Sequence, residues 1–413
     1  MTVLPHFYVD PKSGFGVENL PFGIFSRLGF HHKQVGVAIG EFVLDLAALE
    51  HQGIISLGDE TLFDRNDLNN FAALGAAARI DLRQQLQTLL SDPSSALSNE
   101  SFRDEVLVKR CLVEMHYPFK TGDYTDFYSS ENHARNVGSL FRDPENALNP
   151  NWKQLPVAYH GRTSSLVASD LKLKRPHGQI LEKGSSTPIF SPSLKLDYEV
   201  EMGIFIGAAN QMFEPIPIEK ARDSVFGFVI VNDWSARDIQ AYEYAPLGPF
   251  LGKNFLTSVS PWVVTPEALE PFIMEMPEQD ISPLEYLRLL KRTTFNIQLE
   301  ASIQTALGHT EVISTTNFKH QYWSLDQQIA HHTVNGCKMQ TGDLLATGTL
   351  SGPTQESAGC LLEITKNGAN PVHLTNGETR TFLEDGDTLT IEAHCKNGNT
   401  ILWFGNVSGT IVG

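Results

Sequence analysis

Alternation of polar and apolar residues is most regular at positions 196–207, where the chain reads LDYEVEMGIFIG. Successive side chains of a β-strand point to opposite faces, so this pattern predicts a strand with Asp197, Glu199 and Glu201 on one face. Carboxylates at this spacing, ~6.6 Å along the strand, repel each other modestly in water and strongly in an apolar site. Two interpretations follow: a half-exposed strand with its acids in water, or a strand whose acids face a cation.

Patterns before residue 119 predict a small module that mixes strands and helix. The segment QVGVAIGEFVLDL alternates on both sides of Gly40, which is typical of a β-hairpin. The segment ARIDLRQQLQTLL has helical spacing of its apolar residues; these are Ile80, Leu82, Leu86, Leu89 and Leu90. A connector rich in serine, SDPSSALSNES, follows this predicted helix.

From about Lys120 the pattern changes to short β-branched and aromatic runs separated by Gly, Pro and Asn. The clearest run, DTLTIEAHCKNGNTILWFGNVSGTIV, predicts strands joined by a turn at Asn397-Gly398 and a bulge or turn near Gly405. Such runs are typical of a large β-sheet domain rather than of βαβ repeats. The prediction is a mainly β or α+β chain with two domains, residues 1–118 and 119–413.

Composition and charge argue against several classes of protein. A chain of 413 residues with 41% hydrophobic residues is long and apolar enough to fold around a large core. Its net charge of −17, from 48 acidic and 31 basic residues, disfavours nucleic acids and anionic membrane surfaces as partners. We see no signal peptide in MTVLPHFYVDPKSG and no apolar run near the ~18 residues of a membrane span. The four cysteines are scattered without a C-x-x-C pair, so we expect a reducing, cytoplasmic setting without disulfides.

Candidate functional residues lie in four segments, one of which is the acidic strand. In DYTDFYSSENHARN, helical structure would put Asp126 and His133 on one face, two turns apart. The segment VFGFVIVND predicts a buried strand that ends at Asp233, a favoured place for function. Polar residues follow it at Arg237, Gln240, Tyr244 and Lys253. In AGCLLEIT, Glu363 interrupts an otherwise apolar strand.

Each of these residues also has a purely structural interpretation. Asp126 is as suitable for a helix N-cap as for a ligand, and Asp233 could cap the helix that SARDIQAYEY suggests. His133 could be a surface residue or a satisfied core residue. Lys253 and Glu363 could be exposed or paired with other charges.

The combination of acids favours a metal site. Four carboxylates without Cys or His among them suit a hard cation such as Ca²⁺ or Mg²⁺; they are Asp126, Glu199, Glu201 and Asp233. A divalent ion would halve their negative charge, and Arg237 with Lys253 would neutralise the rest. A balanced cluster of this kind can be buried.

Five segments of the chain resemble the fumarylacetoacetase family. They are DYTDFYSSENHARNVGSLFR, LPVAYHGRTSS, LDYEVEMGIFIG, VNDWSARDIQAYEYAPLGPFLGKNF and ATGTLSGP, and the likeness spans essentially the whole chain. The resemblance implies a homodimer with an SH3-like N-terminal domain and a C-terminal mixed β-sandwich or β-roll that carries the active site.

The same resemblance implies roles for individual residues. Metal ligands match Asp126, Glu199, Glu201 and Asp233, and a second cation would lie near Asp233, Lys253 and Thr257. The general base matches His133, oriented by Glu363, and the groups around the developing oxyanion match Arg237, Gln240 and Lys253. Substrate contacts match Tyr128, Arg142, Tyr159, Gln240, Tyr244 and Thr349.

The implied reaction is hydrolysis of a carbon–carbon bond in fumarylacetoacetate, a small diketo dicarboxylate, with a Ca²⁺ or Mg²⁺ ion. It would release fumarate and acetoacetate at the last step of tyrosine and phenylalanine breakdown. Two alternatives remain open: another diketo-acid hydrolase or decarboxylase of the same superfamily, and a non-catalytic scaffold stabilised by a cation. A decarboxylase would not need a water-activating base, so the pair His133 and Glu363 favours hydrolysis.

Overall fold

The computed structural model of the protein describes residues 4–413. Strands hold 30% of the residues and helices 25%, which confirms the prediction of a mainly β or α+β chain. The strands of the first 118 residues are β1 (Phe22–Arg27), β2 (Gln34–Ile39), β3 (Phe42–Asp45), β4 (Leu107–Lys109) and β5 (Val113–His116). They form an antiparallel sheet in the order β4-β3-β2-β1-β5.

The remaining strands build a seven-stranded sheet, a five-stranded sheet and several two-stranded pairs. They are β6 (Tyr124–Phe127), β7 (Ala158–His160), β8 (Leu166–Ala168), β9 (Leu171–Lys174), β10 (His177–Ile180), β11 (Ile189–Pro192), β12 (Leu196–Asp197), β13 (Val200–Ile206), β14 (Val225–Asp233), β15 (Ser235–Ala236), β16 (Thr257–Val259), β17 (Ile273–Glu275), β18 (Thr293–Phe295), β19 (Gln298–Gln304), β20 (Thr310–Asn317), β21 (Leu344–Ala346), β22 (Val372–His373), β23 (Thr379–Arg380), β24 (Thr388–Asn397) and β25 (Thr400–Val412).

Helices are short apart from one in the N-terminal module. They are α1 (Leu46–His51), α2 (Asn69–Ala73), α3 (Gly75–Ser91), α4 (Glu100–Val106), α5 (Glu131–Phe141), α6 (Arg237–Glu243), α7 (Pro266–Leu269), α8 (Leu325–Thr333) and α9 (Leu361–Ile364). No helix among the described residues is long and apolar enough to cross a membrane.

The N-terminal module follows its sequence pattern with one exception. β2 and β3 form the predicted hairpin, and Gly40 at its turn has a φ of +57°, which favours glycine. The predicted helix is α3, whose leucines at 82, 86, 89 and 90 are buried. Ile80 is 39% exposed, because its position lies off the face that these leucines bury. The SH3-like barrel implied by the resemblance remains a prediction.

The central sheet has the order β7-β6-β21-β13-β14-β16-β8 and is covered on both faces. One face packs against the N-terminal module, through residues such as Phe205 and Val229. The other packs against the sheet β20-β19-β24-β25-β9, through residues such as Met202 and Ile204. β13 is therefore buried along its whole length, and the interpretation of this strand as half-exposed with its acids in water is wrong.

The C-terminal hairpin matches its sequence prediction closely. β24 and β25 pair antiparallel with Asn397 opposite Thr400, so Gly398 lies in the turn with a φ of +58°. The irregularity predicted near Gly405 is present as a break in the register opposite Glu392 and His394. β25 continues through it as one strand of 13 residues, which extends the second sheet along the core.

An ion pair between a buried arginine and a partly buried glutamate joins the N-terminal module to the rest of the chain. Arg79 of α3 donates from Nε and Nη2 to the carboxylate of Glu267 at 3.0 and 2.7 Å, and from Nη1 to the carbonyl oxygen of Val225 at 2.9 Å. The side chain of Arg79 is 5% exposed. Burial opposes ionisation of Glu267, but Arg79 outweighs it and holds the pKa of that carboxyl below its ordinary value.

Replacing Arg79 with methionine is expected to lower the free energy of unfolding by about 3 kcal/mol, because it leaves the partly buried Glu267 carboxylate without its partner. Urea denaturation measures the change. Adding Glu267→Gln to Arg79→Met should recover part of the loss, since the unpaired charge is then gone. A loss below about 1 kcal/mol would place this pair among weak surface ion pairs.

Candidate metal centre and active site

Four acidic side chains from separate elements meet at one end of the central sheet. Each of Asp126, Glu199, Glu201 and Asp233 offers a carboxylate oxygen, and these oxygens all lie within 4.8 Å of one another. Asp126 lies on β6, Glu201 on β13 and Asp233 at the end of β14, on the sheet face that also carries Phe205. Glu199 lies in the break between β12 and β13. All four carboxylates are buried.

Two structural interpretations of these acids are wrong, and so is the placement of Asp126 and His133 on one helix face. Asp126 and His133 do not share a helix, because Asp126 lies on β6 and His133 in the first turn of α5. The N-cap of α5 is Ser130, whose Oγ accepts from His133 N at 3.4 Å, so Asp126 caps nothing there. α6 begins after Ala236 without a side-chain cap, so Asp233 is not its cap.

The four acids fit a divalent cation. Within residues 4–413, neither Asp126 Oδ1 nor Glu201 Oε1 has a hydrogen-bond partner, although both atoms are buried. Burial, together with the neighbouring carboxylates, raises the pKa of both groups well above their ordinary values. Oxygen donors left in this state are the ligands that a hard divalent ion requires, and its charge offsets their mutual repulsion.

A lysine and two hydroxyl groups complete the surroundings of the four acids. Lys253 Nζ donates to Glu199 Oε2 at 2.6 Å and to Asp233 Oδ2 at 2.7 Å. Asp233 also accepts from Tyr159 Oη at 2.9 Å and from Thr257 Oγ1 at 2.8 Å. Burial works against the charged form of Lys253, but Asp233 and Glu199 outweigh it and raise its pKa above the ordinary value. These two contacts favour the ammonium form of Lys253 and hold it in place.

Arg237 lies beside Glu199 and is held by Asp197. Its Nη1 contacts Glu199 Oε1 at 2.8 Å, and its Nε donates to Asp197 Oδ2 at 2.8 Å. Burial opposes the ionised form of Glu199, but Lys253 and Arg237 outweigh it and lower the pKa of Glu199. The three alternating acids at 197, 199 and 201 therefore have different surroundings. Glu199 and Glu201 face the candidate metal centre, and Asp197 pairs with Arg237 instead.

The second group of polar residues is a histidine and glutamate pair. His133 Nδ1 lies 2.7 Å from Glu363 Oε2, and both residues are buried. Glu363 is on the short helix α9 and not on a strand as predicted, because the chain turns at Cys360 and closes a single helical turn. Burial opposes ionisation of Glu363, but His133 outweighs it and lowers the pKa of this carboxyl.

Further donors hold the Glu363 carboxylate in place. Asn136 Nδ2 donates to Oε1 at 2.9 Å, and Ser351 Oγ donates to Oε2 at 2.8 Å. The thiol of Cys360 lies 3.2 Å from the same Oε2. Burial raises the pKa of Cys360 well above its ordinary value, so this group is a neutral donor. An ionised, fixed carboxylate behind His133 is the arrangement that orients a general base.

The residues predicted to contact substrate lie at different depths. Thr349 is buried, and its Oγ1 has no partner within the described part of the chain. The ring of Tyr128 packs edge-on against His133, with centroids 5.2 Å apart. Gln240 Oε1 accepts from Arg237 Nη1 at 3.3 Å. Arg142 and Tyr244 are exposed, and Arg142 donates to the carbonyl oxygen of Ala147.

Sequence reasoning did not identify Asp197, Asn136 and Ser351 as parts of this site. Asp197 carried a usable signal, since it belongs to the same alternating pattern as two of the candidate ligands. Asn136 lies three residues after His133, on the same side of a helix, which is a weaker signal. Ser351 had none, because a serine after a glycine-rich turn is common in loops.

Comparisons with known proteins agree over the whole chain. Residues 18–118 match the family described as Fumarylacetoacetase N-terminal, and residues 123–411 match Fumarylacetoacetate (FAA) hydrolase C-terminal. The fumarylacetoacetase of Arabidopsis thaliana is 47% identical over 419 residues, covering 100% of this chain and 99% of the relative. That of Homo sapiens is 46% identical over 413 residues, covering 98% and 97%.

A solved structure shows the same fold at low sequence identity. The fumarylacetoacetate hydrolase (EaFAH) from psychrophilic Exiguobacterium antarcticum aligns with a TM-score of 0.53 at 16% identity, covering 95% of this chain and 99% of that one. At this identity the likeness concerns the fold alone. The matches at 46–47% identity concern the whole polypeptide.

Proposed function

The chain belongs to the fumarylacetoacetase family, and from this premise we propose that it hydrolyses fumarylacetoacetate to fumarate and acetoacetate. The observation that supports this most strongly is a buried site with two parts: four converging carboxylates, and the pair formed by His133 and Glu363. The carboxylates can hold a cation, and the pair can activate water. Both capacities accelerate hydrolysis of a diketone, the cation as a Lewis acid and the pair as a general base.

His133 is the proposed general base. Because its Nδ1 faces the ionised Glu363, Nδ1 carries the hydrogen and Nε2 carries the lone pair that accepts a proton from water. Glu363 stabilises the imidazolium that forms, and Asn136 and Ser351 keep that carboxylate fixed. The water oxygen attacks the carbonyl carbon next to the fumaryl group.

Arg237, Gln240 and Lys253 are the proposed groups around the developing oxyanion. Arg237 Nη2 is buried and has no partner within residues 4–413, so one guanidinium hydrogen-bond donor is available. Lys253, which contacts Glu199 and Asp233 at 2.6 and 2.7 Å, brings a second positive charge to the same site. Donors that are fixed before the reaction stabilise a new negative charge without the cost of reorienting solvent.

The four carboxylates would hold a divalent cation, Ca²⁺ or Mg²⁺ in this proposal. When bound, that ion would supply Lewis acidity and would help to orient the substrate. Collapse of the tetrahedral intermediate breaks the carbon–carbon bond, and the electron pair goes to the acetoacetate carbon. We propose that Lys253 donates the proton that this acetoacetate carbon accepts. The contacts of Lys253 with Asp233 and Glu199 keep its amine protonated until this transfer.

Substrate positioning is proposed for the residues that surround this centre. Arg142, Tyr128 and Tyr244 would bind the terminal carboxylates, against the negative field of the whole chain. Tyr159, which donates to Asp233 at the candidate metal centre, and Thr349 are further proposed substrate contacts. A second cation beside Asp233, Lys253 and Thr257 remains a prediction.

The test of this function is the decay of the ultraviolet absorbance of fumarylacetoacetate with purified protein, with and without a chelator. We expect decay that needs a divalent ion and yields fumarate and acetoacetate in equal amounts. Absence of decay with the ion bound would reject this substrate and turn the search to other diketo acids. Inactivity towards all of them, together with loss of thermal stability on chelation, would indicate the scaffold instead.

Assembly, location and domain division are part of the same proposal. We propose that the chain forms a homodimer. Light scattering should then give a mass in solution of twice the 45.8 kDa of one chain. The division at residues 118 and 119 agrees with the ranges that the two family descriptions match. We also propose a cytoplasmic location, in keeping with four cysteines that are free in the structure.

A further inference from the structure

Asp197 is completely buried, and both of its carboxylate oxygens are used. Oδ1 accepts from the backbone N–H of Tyr198 at 2.9 Å and of Leu361 at 2.8 Å. Oδ2 accepts from the backbone N–H of Leu362 at 3.0 Å and from Arg237 Nε at 2.8 Å. The carboxylate is therefore already satisfied and has no need of a metal ion.

These contacts connect the two halves of the proposed machinery. Leu361 and Leu362 are the first residues of α9, the helix that carries Glu363 and so orients His133. Arg237 is the proposed oxyanion donor. Since the N-cap residue of α9, Cys360, makes no side-chain cap bond, Asp197 supplies acceptors for the first N–H groups of that helix from another part of the chain.

The contact with Arg237 also decides where the rest of its guanidinium points. Nε is held by Asp197, and Nη1 by Glu199 and Gln240. Nη2 is left buried without a partner in the described part of the chain. A guanidinium is planar and rigid, so fixing Nε and Nη1 fixes the direction of the Nη2 donor as well.

We propose that Asp197 is a positioning residue, which fixes the Arg237 guanidinium against α9 so that the oxyanion donor and the His133–Glu363 base share one support. This inference rests on the proposed hydrolytic function and deepens it. A catalytic group displaced by about 1 Å loses on the order of 10²-fold in rate. The backbone pairing of Asp197 with Ser235, two residues before Arg237, keeps this support short and stiff.

The first variant is Asp197→Asn, which keeps the shape and removes the charge. An amide has one acceptor oxygen and one NH₂ group. The NH₂ group would therefore face two of the four N–H groups that now donate to the carboxylate. We expect kcat to fall about 10²-fold with KM changed less than about threefold, because the lost interaction acts in the transition state. Affinity for Mg²⁺ by calorimetry should stay within about threefold of wild type, since Asp197 is not a ligand.

The matched control is Asp387→Asn. Asp387 is also completely buried, pairs with Arg380 Nε at 2.8 Å and accepts from a backbone N–H, but it is not part of the proposed site. This variant should lose stability with kcat close to wild type. Equal kcat losses in the two variants would overturn the proposal, since a general loss of stability would then explain both.

A double-mutant cycle of Asp197→Asn and Arg237→Met tests whether Asp197 acts through Arg237 or independently of it. Asp197→Asn should cost much less kcat in the Arg237→Met background than in wild type, whereas additive losses would overturn the proposal. If Asp197→Asn alone folds poorly, the double variant, in which both charges of the buried pair are absent, is compared with Arg237→Met. A kcat equal to that of Arg237→Met supports the proposal, and a further large loss overturns it.

A crystal structure of Asp197→Asn with Mg²⁺ tests the inference without relying on turnover. The proposal expects Arg237 to shift away from Glu199, or Glu363 to shift away from His133. Unchanged positions of both would overturn it. If wild-type protein fails to hydrolyse fumarylacetoacetate while these shifts are seen, the proposed substrate is wrong and the positioning role stands.

Discussion

Replacing His133 with glutamine is expected to lower kcat for fumarylacetoacetate by about 10²- to 10⁴-fold, the range for loss of a general base. Glutamine has nearly the volume of histidine and can still donate to Glu363, but its amide cannot take a proton from water at neutral pH. Steady-state kinetics from the ultraviolet absorbance of the substrate give kcat and KM. We expect KM to change little, because His133 is 2.7 Å from Glu363 and is not among the four acids of the candidate metal centre.

The matched control is the same substitution at an exposed histidine, His373→Gln on β22. It should keep the wild-type kcat. Mg²⁺ affinity of His133→Gln should equal that of wild type, which separates loss of the base from loss of the metal site. A His133→Gln protein with wild-type kcat would show that another group activates the water.

Replacing Asp126 with asparagine is expected to abolish the dependence of both activity and stability on a divalent ion. The variant loses one of four clustered carboxylates, one whose Oδ1 has no protein partner within residues 4–413. Turnover should fall at least about 10²-fold and should not return when Mg²⁺ or Ca²⁺ is added after chelation. In wild type, an ion at about 100 times its dissociation constant should stabilise the fold by about 2.7 kcal/mol.

Without the ion, the expected effect of Asp126→Asn is reversed: the variant should be at least as stable as wild type. Buried carboxylates that repel each other destabilise the ion-free wild type, so Asp126→Asn should unfold at the same or a higher temperature in chelator. Asp343→Asn is the control, because Asp343 is a buried carboxylate that accepts backbone N–H groups of Asp123 and Gln340 and is not one of the clustered acids. It should lose stability with and without the ion. A lower unfolding temperature of Asp126→Asn in chelator would mean that this acid stabilises the fold without a cation.

Local features of the sequence predicted the elements whose form depends on neighbouring residues. The β24–β25 hairpin followed from its alternation and its Asn397-Gly398 turn, and α3 from its leucine spacing. These signals are local because backbone conformation and the choice of buried face are set within a few residues. The same signals were misleading for Ile80, which lies off the buried leucine face of α3, and for Glu363, which lies on a single helical turn.

The sequence by itself determined which residue types the site contains: four acids suited to a hard metal ion, the basic residues Arg237 and Lys253, and a histidine with a candidate partner. Only the tertiary structure decided which of them meet. Glu363 is 230 residues from His133 along the chain, and Asp197 is 164 residues from Leu361. Strand order and register bring such pairs together, and register is set by burial of whole sheet faces rather than by any one polar residue. For that reason one alternating pattern in the sequence became two functions in the fold: Glu199 and Glu201 at the candidate metal centre, and Asp197 as an anchor beside it.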